Sequence, residues 1–174
     1  MTVSVYSSAL YSLAEDMGIE DRVLSQIEEI DKALSENPDF VTLLNSSALA
    51  LSERLAAADD AFSGAEEILL NFIKILTEKR QMHTFSKCAA AFRKEYDKKH
   101  NIVRVTALTV VPLGGELKNA LCEKLEKLTG NTIVLENGVS PEILGGIVLK
   151  SEDSEIDASI LGKLRNMAKE LSGR

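Results

Sequence analysis

The residues best suited to chemistry in this chain are two histidines, two cysteines and several carboxylate pairs. Their spacing assembles none of the usual reactive groups. His83 and His100 have no cysteine or carboxylate at ligand spacing, which argues against a zinc site. Cys88 and Cys122 lie far apart on predicted helices without a CxxC pair, so they read as free buried thiols. No GxxxxGK[ST] loop is present to cradle phosphate. Of the two glycine pairs, Gly114-Gly115 reads as a helix start, and Gly145-Gly146 as a strand passing close to another element. The run Glu152-Asp153-Ser154-Glu155 lacks the alternating oxygen ligands of a calcium loop and reads as a solvated turn. Asp59-Asp60 and Glu66-Glu67 suit helix ends and first turns better than an acid/base pair. An empty catalytic inventory points to a binding or structural protein with no cofactor, metal or small-molecule substrate.

Composition sets the same direction. The chain has 174 residues, room for one ordinary domain or two small ones, with 45% apolar and 27% charged residues. Its net charge is −7, and residues 1–100 carry 11 positive against 17 negative groups. That balance argues against nucleic acid, whose affinity comes mostly from Lys and Arg displacing counterions, and against anionic lipid. The first residues lack a basic start and meet Glu15 and Asp16 too soon for a signal peptide. The longest apolar run, Ile68 to Leu76, is broken by Asn71 and Lys74 and is too short to span a bilayer. Membrane association is therefore expected only through another protein.

The elements that must position any working surface follow from periodicity. Residues 3–17 predict a helix with Val3, Tyr6, Leu10, Leu13, Ala14 and Met17 inward and Gly18 as its cap. Its other face, Ser4, Ser7, Ser8, Tyr11 and Ser12, is uncharged, and reads either as a short serine-rich surface of no consequence or as a face that admits another helix at close range. A second helix spans about Glu20 to Ser35 and a third starts at Pro38. A fourth starts at Ser46-Ser47, with Leu49, Leu51, Leu55 and Ala58 as its apolar positions. The fifth, Gly64 to about Arg80, differs. Ile68, Leu69, Leu70, Phe72, Ile73, Ile75 and Leu76 cover more than half its circumference, so it must be buried on several sides or face a partner. A sixth runs from about Met82 to Lys99 on a Phe85, Cys88, Ala89 and Phe92 stripe.

At Asn101 the period changes. Ile102 to Val111 reads as a strand stopped by Pro112, and Leu113 to Thr129 as a helix with Leu117, Ala120, Leu121, Leu125 and Leu128 on one side. A strand at Thr132 to Glu136, a turn at Asn137-Gly138 and a strand at Gly145 to Lys150 follow. A last helix, aligning Ile160, Leu161, Leu164, Met167, Ala168 and Leu171, is expected to be capped by Asp157. The predicted fold is mainly α: a six-helix bundle over 1–100, then a small α+β domain over 101–174.

Several of these stretches together resemble the delta subunit family of F-type ATP synthases, called the oligomycin-sensitivity-conferring protein in mitochondria. Tyr6-Ser7-Ser8-Ala9-Leu10 with Leu13-Ala14 looks like the family's opening helix, and Val111-Pro112-Leu113 like its entry to the second domain. Leu144-Gly145-Gly146-Ile147-Val148, followed by Ile156-Asp157-Ala158-Ser159-Ile160 and Leu164, carries most of the likeness. Ala158 departs from the family's usual glycine, Ile160-Leu161 bring no basic residue, and Gly114 replaces a Thr or Ser cap.

The resemblance implies a non-catalytic stator subunit joining the catalytic head to the peripheral stalk, on the cytoplasmic face of a bacterial membrane. It implies that the bundle binds the N-terminal helix of an alpha subunit in a groove between the first and fifth helices. Tyr6, Ala9, Leu10, Leu13, Phe72, Ile75, Leu76 and Lys79 are then expected to line or support that groove. The second domain is expected to bind the C-terminal region of the b subunits, with Ile160, Leu164 and the strand at 147–149 holding it together. The alternative is an unrelated helical adaptor or regulatory protein.

Overall fold

The computed structural model describes residues 2–151 and 154–163. It is mainly helical with one small four-stranded sheet, and it divides into two compact units, Met1–Tyr96 and Asp97–Arg174. The first contains α1 (Thr2–Met17), α2 (Glu20–Glu36), α3 (Pro38–Asn45), α4 (Leu51–Ala61), α5 (Glu67–Glu78), a 3-10 turn (Met82–Thr84) and most of α6 (Phe85–Lys99). Its core joins Leu10, Tyr11 and Ala14 of α1 to Val23, Ile27 and Leu34 of α2 and to Phe85 and Phe92 of α6. α5 packs on α1, α4 and the 3-10 turn. Its Leu69, Phe72, Ile73 and Leu76 are buried, worth roughly 6–12 kcal/mol gross as an upper bound.

Local chemistry sets the helix ends. Gly18 takes φ +65°, so that Gly18 N–H reaches Glu15 O at 3.1 Å and Ile19 N–H reaches Ala14 O at 3.0 Å. These paired bonds past a left-handed residue satisfy the last carbonyls of α1. α5 ends the same way, with Arg80 N–H on Thr77 O and Gln81 N–H on Leu76 O, but its left-handed residue is Arg80 at φ +54°. α4 starts at Leu51 and not at Ser46, because Ser46 Oγ accepts from Ala48 N–H in a local turn that competes with helix. The Glu53 carboxylate then accepts from Ala50 N–H at the true start.

α1 is rotated relative to its apolar stripe, by about 60° at 100° per residue. Ser7 and Tyr11 are buried with Leu10 and Ala14, whereas Leu13 and Met17 are 52% and 59% exposed. The cause is α6. Ser7 Oγ donates to Cys88 O at 3.1 Å, and the Tyr11 ring meets Phe92 edge-on at 5.3 Å. Two residues of the small uncharged face, Ser7 and Tyr11, thus receive a helix of the same chain, while Ser8 is half-buried and Ser12 stays exposed.

The second unit holds β1 (Ile102–Thr109), α7 (Gly115–Thr129), β2 (Thr132–Val139), β3 (Ile147–Lys150) and β4 (Glu155–Asp157), in the sheet order β2-β1-β3-β4. β1 and β2 are parallel, joined by α7, and the other two pairs are antiparallel. Val105 and Ala107 alternate inward with Ile133 and Leu135, against Leu121, Cys122 and Leu125 of α7. Leu117 and Leu128 of the expected α7 stripe are instead exposed, at 66% and 75%.

β2 continues through Asn137-Gly138, where a turn was expected. The Asn137 amide is held across the sheet, donating to Ala107 O at 2.9 Å and accepting from Leu113 N–H at 2.8 Å. Gly138 lies under Leu108, whose Cδ2 would come within 2.6 Å of an added Cβ. β4 is a further strand, paired Val148↔Asp157 to Lys150↔Glu155.

Candidate docking groove

Periodicity on α1 and α5 decides which side chains meet. Lys79 Nζ donates to the Tyr6 hydroxyl and stands 4.9 Å from the centre of its ring, a clasp between the two helices. Leu10, Phe72 and Leu76 are buried beneath, as members of the core. Ala9 and Leu13 on α1 and Ile75 on α5 are exposed, Ile75 by 41%. The eight expected residues therefore divide into three core members, the Tyr6–Lys79 clasp and three exposed apolar side chains, and α5 is not fully covered among the described residues.

Two further residues lengthen the open surface. Val5 and Met17 are 65% and 59% exposed, and with Ala9 and Leu13 they recur every four positions along α1. The i, i+4 spacing is legible in the sequence, but Met17 was expected inward and Val5 had been given no role. Arg54 was missed altogether. It is 3% exposed on α4, with Nη1 donating to Leu44 O at 3.1 Å and Thr77 O at 2.6 Å. Its signal was an arginine on the same helical face as Leu51, Leu55 and Ala58.

Cys88 is buried and burial pushes its thiol up, toward the protonated, inert form; Cys122 is half-buried and also free. His83 and His100 are exposed. Tyr11 is likewise pushed up, first by burial and then by Glu15, Glu20, Glu95 and Asp21. No group of His, Cys, Asp and Glu able to hold a metal occurs among the described residues. A cleft of about 240 Å³ opens beside Gln26, Glu29 and Phe62, away from the α1 and α5 clasp.

In the second unit, the glycine pair is a close-approach device. Gly146 takes φ +88°, and a Cβ there would lie 2.6 Å from Ala158 O and 2.9 Å from Ser159 Cα. Ala158 N–H bonds Ile147 O at 3.0 Å, and Ile160 N–H bonds Gly145 O at 2.9 Å. The cap of the final helix is Ser159 and not Asp157, which is in β4. Ser159 Oγ accepts from Gly162 N–H at 2.9 Å, while Asp157 Oδ1 accepts from Ser159 N–H at 2.9 Å. Ile160 is 52% exposed, its side chain lying over Gly145, so it is not the core residue expected. Leu164, Met167, Ala168 and Leu171, and Glu152 and Asp153 of the acidic turn, lie outside the described residues.

A mainly helical first unit that leaves apolar side chains of α1 and α5 exposed, followed by an α+β unit, defines a structural class of two-part proteins. The family model described as the ATP synthase delta (OSCP) subunit matches residues 3–171, and the chain belongs to that family. Members are structural, non-catalytic components of ATP synthase. The chain is 29% identical over 166 residues to the ATP synthase subunit delta of Moorella thermoacetica, covering 95% of this chain and 93% of that relative. It is 27% identical over 168 residues to the same subunit of Carboxydothermus hydrogenoformans, covering 97% and 95%. A chain in the Toxoplasma gondii mitochondrial ATP synthase hexamer, solved by cryo-electron microscopy, shares the fold with a TM-score of 0.76 at 16% identity, covering 98% of this chain and 97% of that one.

Proposed function

We propose that this chain is the stator subunit of a proton- or sodium-translocating F-type ATP synthase, joining the catalytic head to the peripheral stalk so that the head does not turn. The helical unit acts as a six-helix bundle over 1–100, taking the N-terminal helix of an alpha subunit onto the strip between α1 and α5. The α+β unit, 101–174, takes the C-terminal region of the b subunits. The subunit is peripheral, on the cytoplasmic face of a bacterial membrane; no helix among the described residues is long and apolar enough to cross one.

One observation carries the docking role. Ala9, Leu13 and Ile75 lie open above a buried floor in a protein whose charged residues are otherwise plentiful. A helix laid on that strip would bury apolar surface now in water, which is how helix-in-groove binding gains affinity. Ala9→Glu or Ile75→Glu places an unpaired carboxylate under the incoming helix. Either change should lower affinity for an alpha N-terminal peptide by at least about 100-fold, near 3 kcal/mol, with helicity unchanged by circular dichroism. Unchanged affinity in both variants by titration calorimetry refutes the groove. A b C-terminal fragment that bound residues 1–100 alone would refute the division of labour.

A further inference from the structure

We propose that Arg54, on α4 and outside the docking strip, is a positioning residue: its guanidinium fixes the last turn of α5 so that Ile75 and Lys79 face α1. The inference rests on the docking function above and adds to it a residue that touches no partner. Arg54 is 3% exposed, and no carboxylate among the described residues pairs with it. A buried cation is costly without partners, and here the partners are main-chain carbonyls. Leu44 O belongs to the last turn of α3 and Thr77 O to the last turn of α5. Helix C-termini leave such carbonyls without intrahelical donors and carry partial negative charge, so a guanidinium is well suited to join two of them.

The turn it holds is strained. Arg80 occupies the left-handed position where glycine is usual, so the end of α5 starts with an unfavourable backbone. The 2.6 Å bond from Arg54 to Thr77 O acts on that same turn, which also contains the Lys79 that clasps Tyr6 and directly follows Ile75 and Leu76. Without the guanidinium, Thr77 O loses the shorter of its bonds and is left with backbone donors such as Arg80 N–H at 3.1 Å. The clasp and the exposed Ile75 then lose their fixed relation to α1. Arg54 thereby links the α3 and α5 ends to the geometry of the strip.

The test uses the full-length chain, a synthetic peptide carrying the alpha subunit's N-terminal helix, and a temperature at which every variant keeps wild-type circular dichroism. Arg54→Met should weaken peptide binding about 10-fold. It should also speed amide exchange at Lys79, Arg80 and Gln81 more than in α2. Arg54→Lys, which keeps one cationic donor for Thr77 O, should fall between Arg54→Met and wild type. Adding Arg80→Gly to Arg54→Met relieves the strained turn without restoring the charge, and should recover part of the affinity. A folded Arg54→Met or Arg54→Lys with wild-type affinity and exchange overturns the assignment, as does a double variant with no recovery. A wild-type chain that fails to bind the peptide refutes the docking function instead, and exchange at Lys79 to Gln81 then decides the role of Arg54.

Discussion

Replacing Gly146 by alanine should cost the second unit far more than one methyl group suggests. The residue sits at φ +88°, where an L side chain is strained by about 1–3 kcal/mol. Its new Cβ would stand 2.6 Å from Ala158 O and 2.9 Å from Ser159 Cα, and both are backbone atoms that cannot swing aside. Relief requires β3 and the turn before the final helix to separate. That stretches the Ala158–Ile147 and Ile160–Gly145 hydrogen bonds, at about 0.5–1.5 kcal/mol each. The sum is a loss of roughly 2–6 kcal/mol. Gly130 of the same unit supplies the control: it has φ +71° but nothing within 4 Å of an added Cβ. Gly130→Ala should therefore cost only about 1 kcal/mol. Urea denaturation of both variants, followed by amide exchange at Ala158 and Ile160, measures the difference. Equal losses in the two variants would refute the close-approach account of the glycine pair.

Three other outcomes are expected. The Ala9→Glu and Ile75→Glu variants should separate binding from folding, since both positions are exposed. Tyr96 is pushed up from 10.0 to about 12, first by its hydrogen bond to Asp21 at 2.5 Å and then by burial. Its folded state holds the phenolic proton more tightly than the unfolded chain, so the stability it contributes is complete below pH 10 and lost as pH rises to about 12. Tyr96→Phe should flatten the fall in urea midpoint across that interval; an identical fall in wild type and variant would remove the Asp21 bond from the account. Arg80→Gly alone should stabilise the first unit by about 0.5–1 kcal/mol, because relieved strain outweighs the added freedom of the unfolded chain. A lower melting temperature in that variant would count against it.

The residues that carry the fold were legible to different degrees. The apolar girth of α5 announced a buried helix with surface to spare, and Ile75 is the part left open. Gly145-Gly146 announced a close approach, and the backbone of Ala158 and Ser159 is what approaches. Asn137-Gly138 misled, because the dipeptide that favours a turn also serves a strand whose glycine underlies Leu108 and whose asparagine ties β2 to β1. β4 is three residues long, too short for any period to show.

By itself, the sequence determined the helical periods, the change of period at Asn101 and the concentration of apolar surface on α5. These depend on side-chain types at regular spacing along one chain. The rotation of α1, the burial of Ser7 and Arg54, and the exposure of Leu13 and Met17 were decided only by packing. A helical stripe says that one face is apolar, but not which neighbour claims which part of it. α6 came close over small residues, and main-chain carbonyls from α3 and α5 supplied partners for a cation. Both depend on contacts between residues distant in sequence, which exist only once the chain has folded.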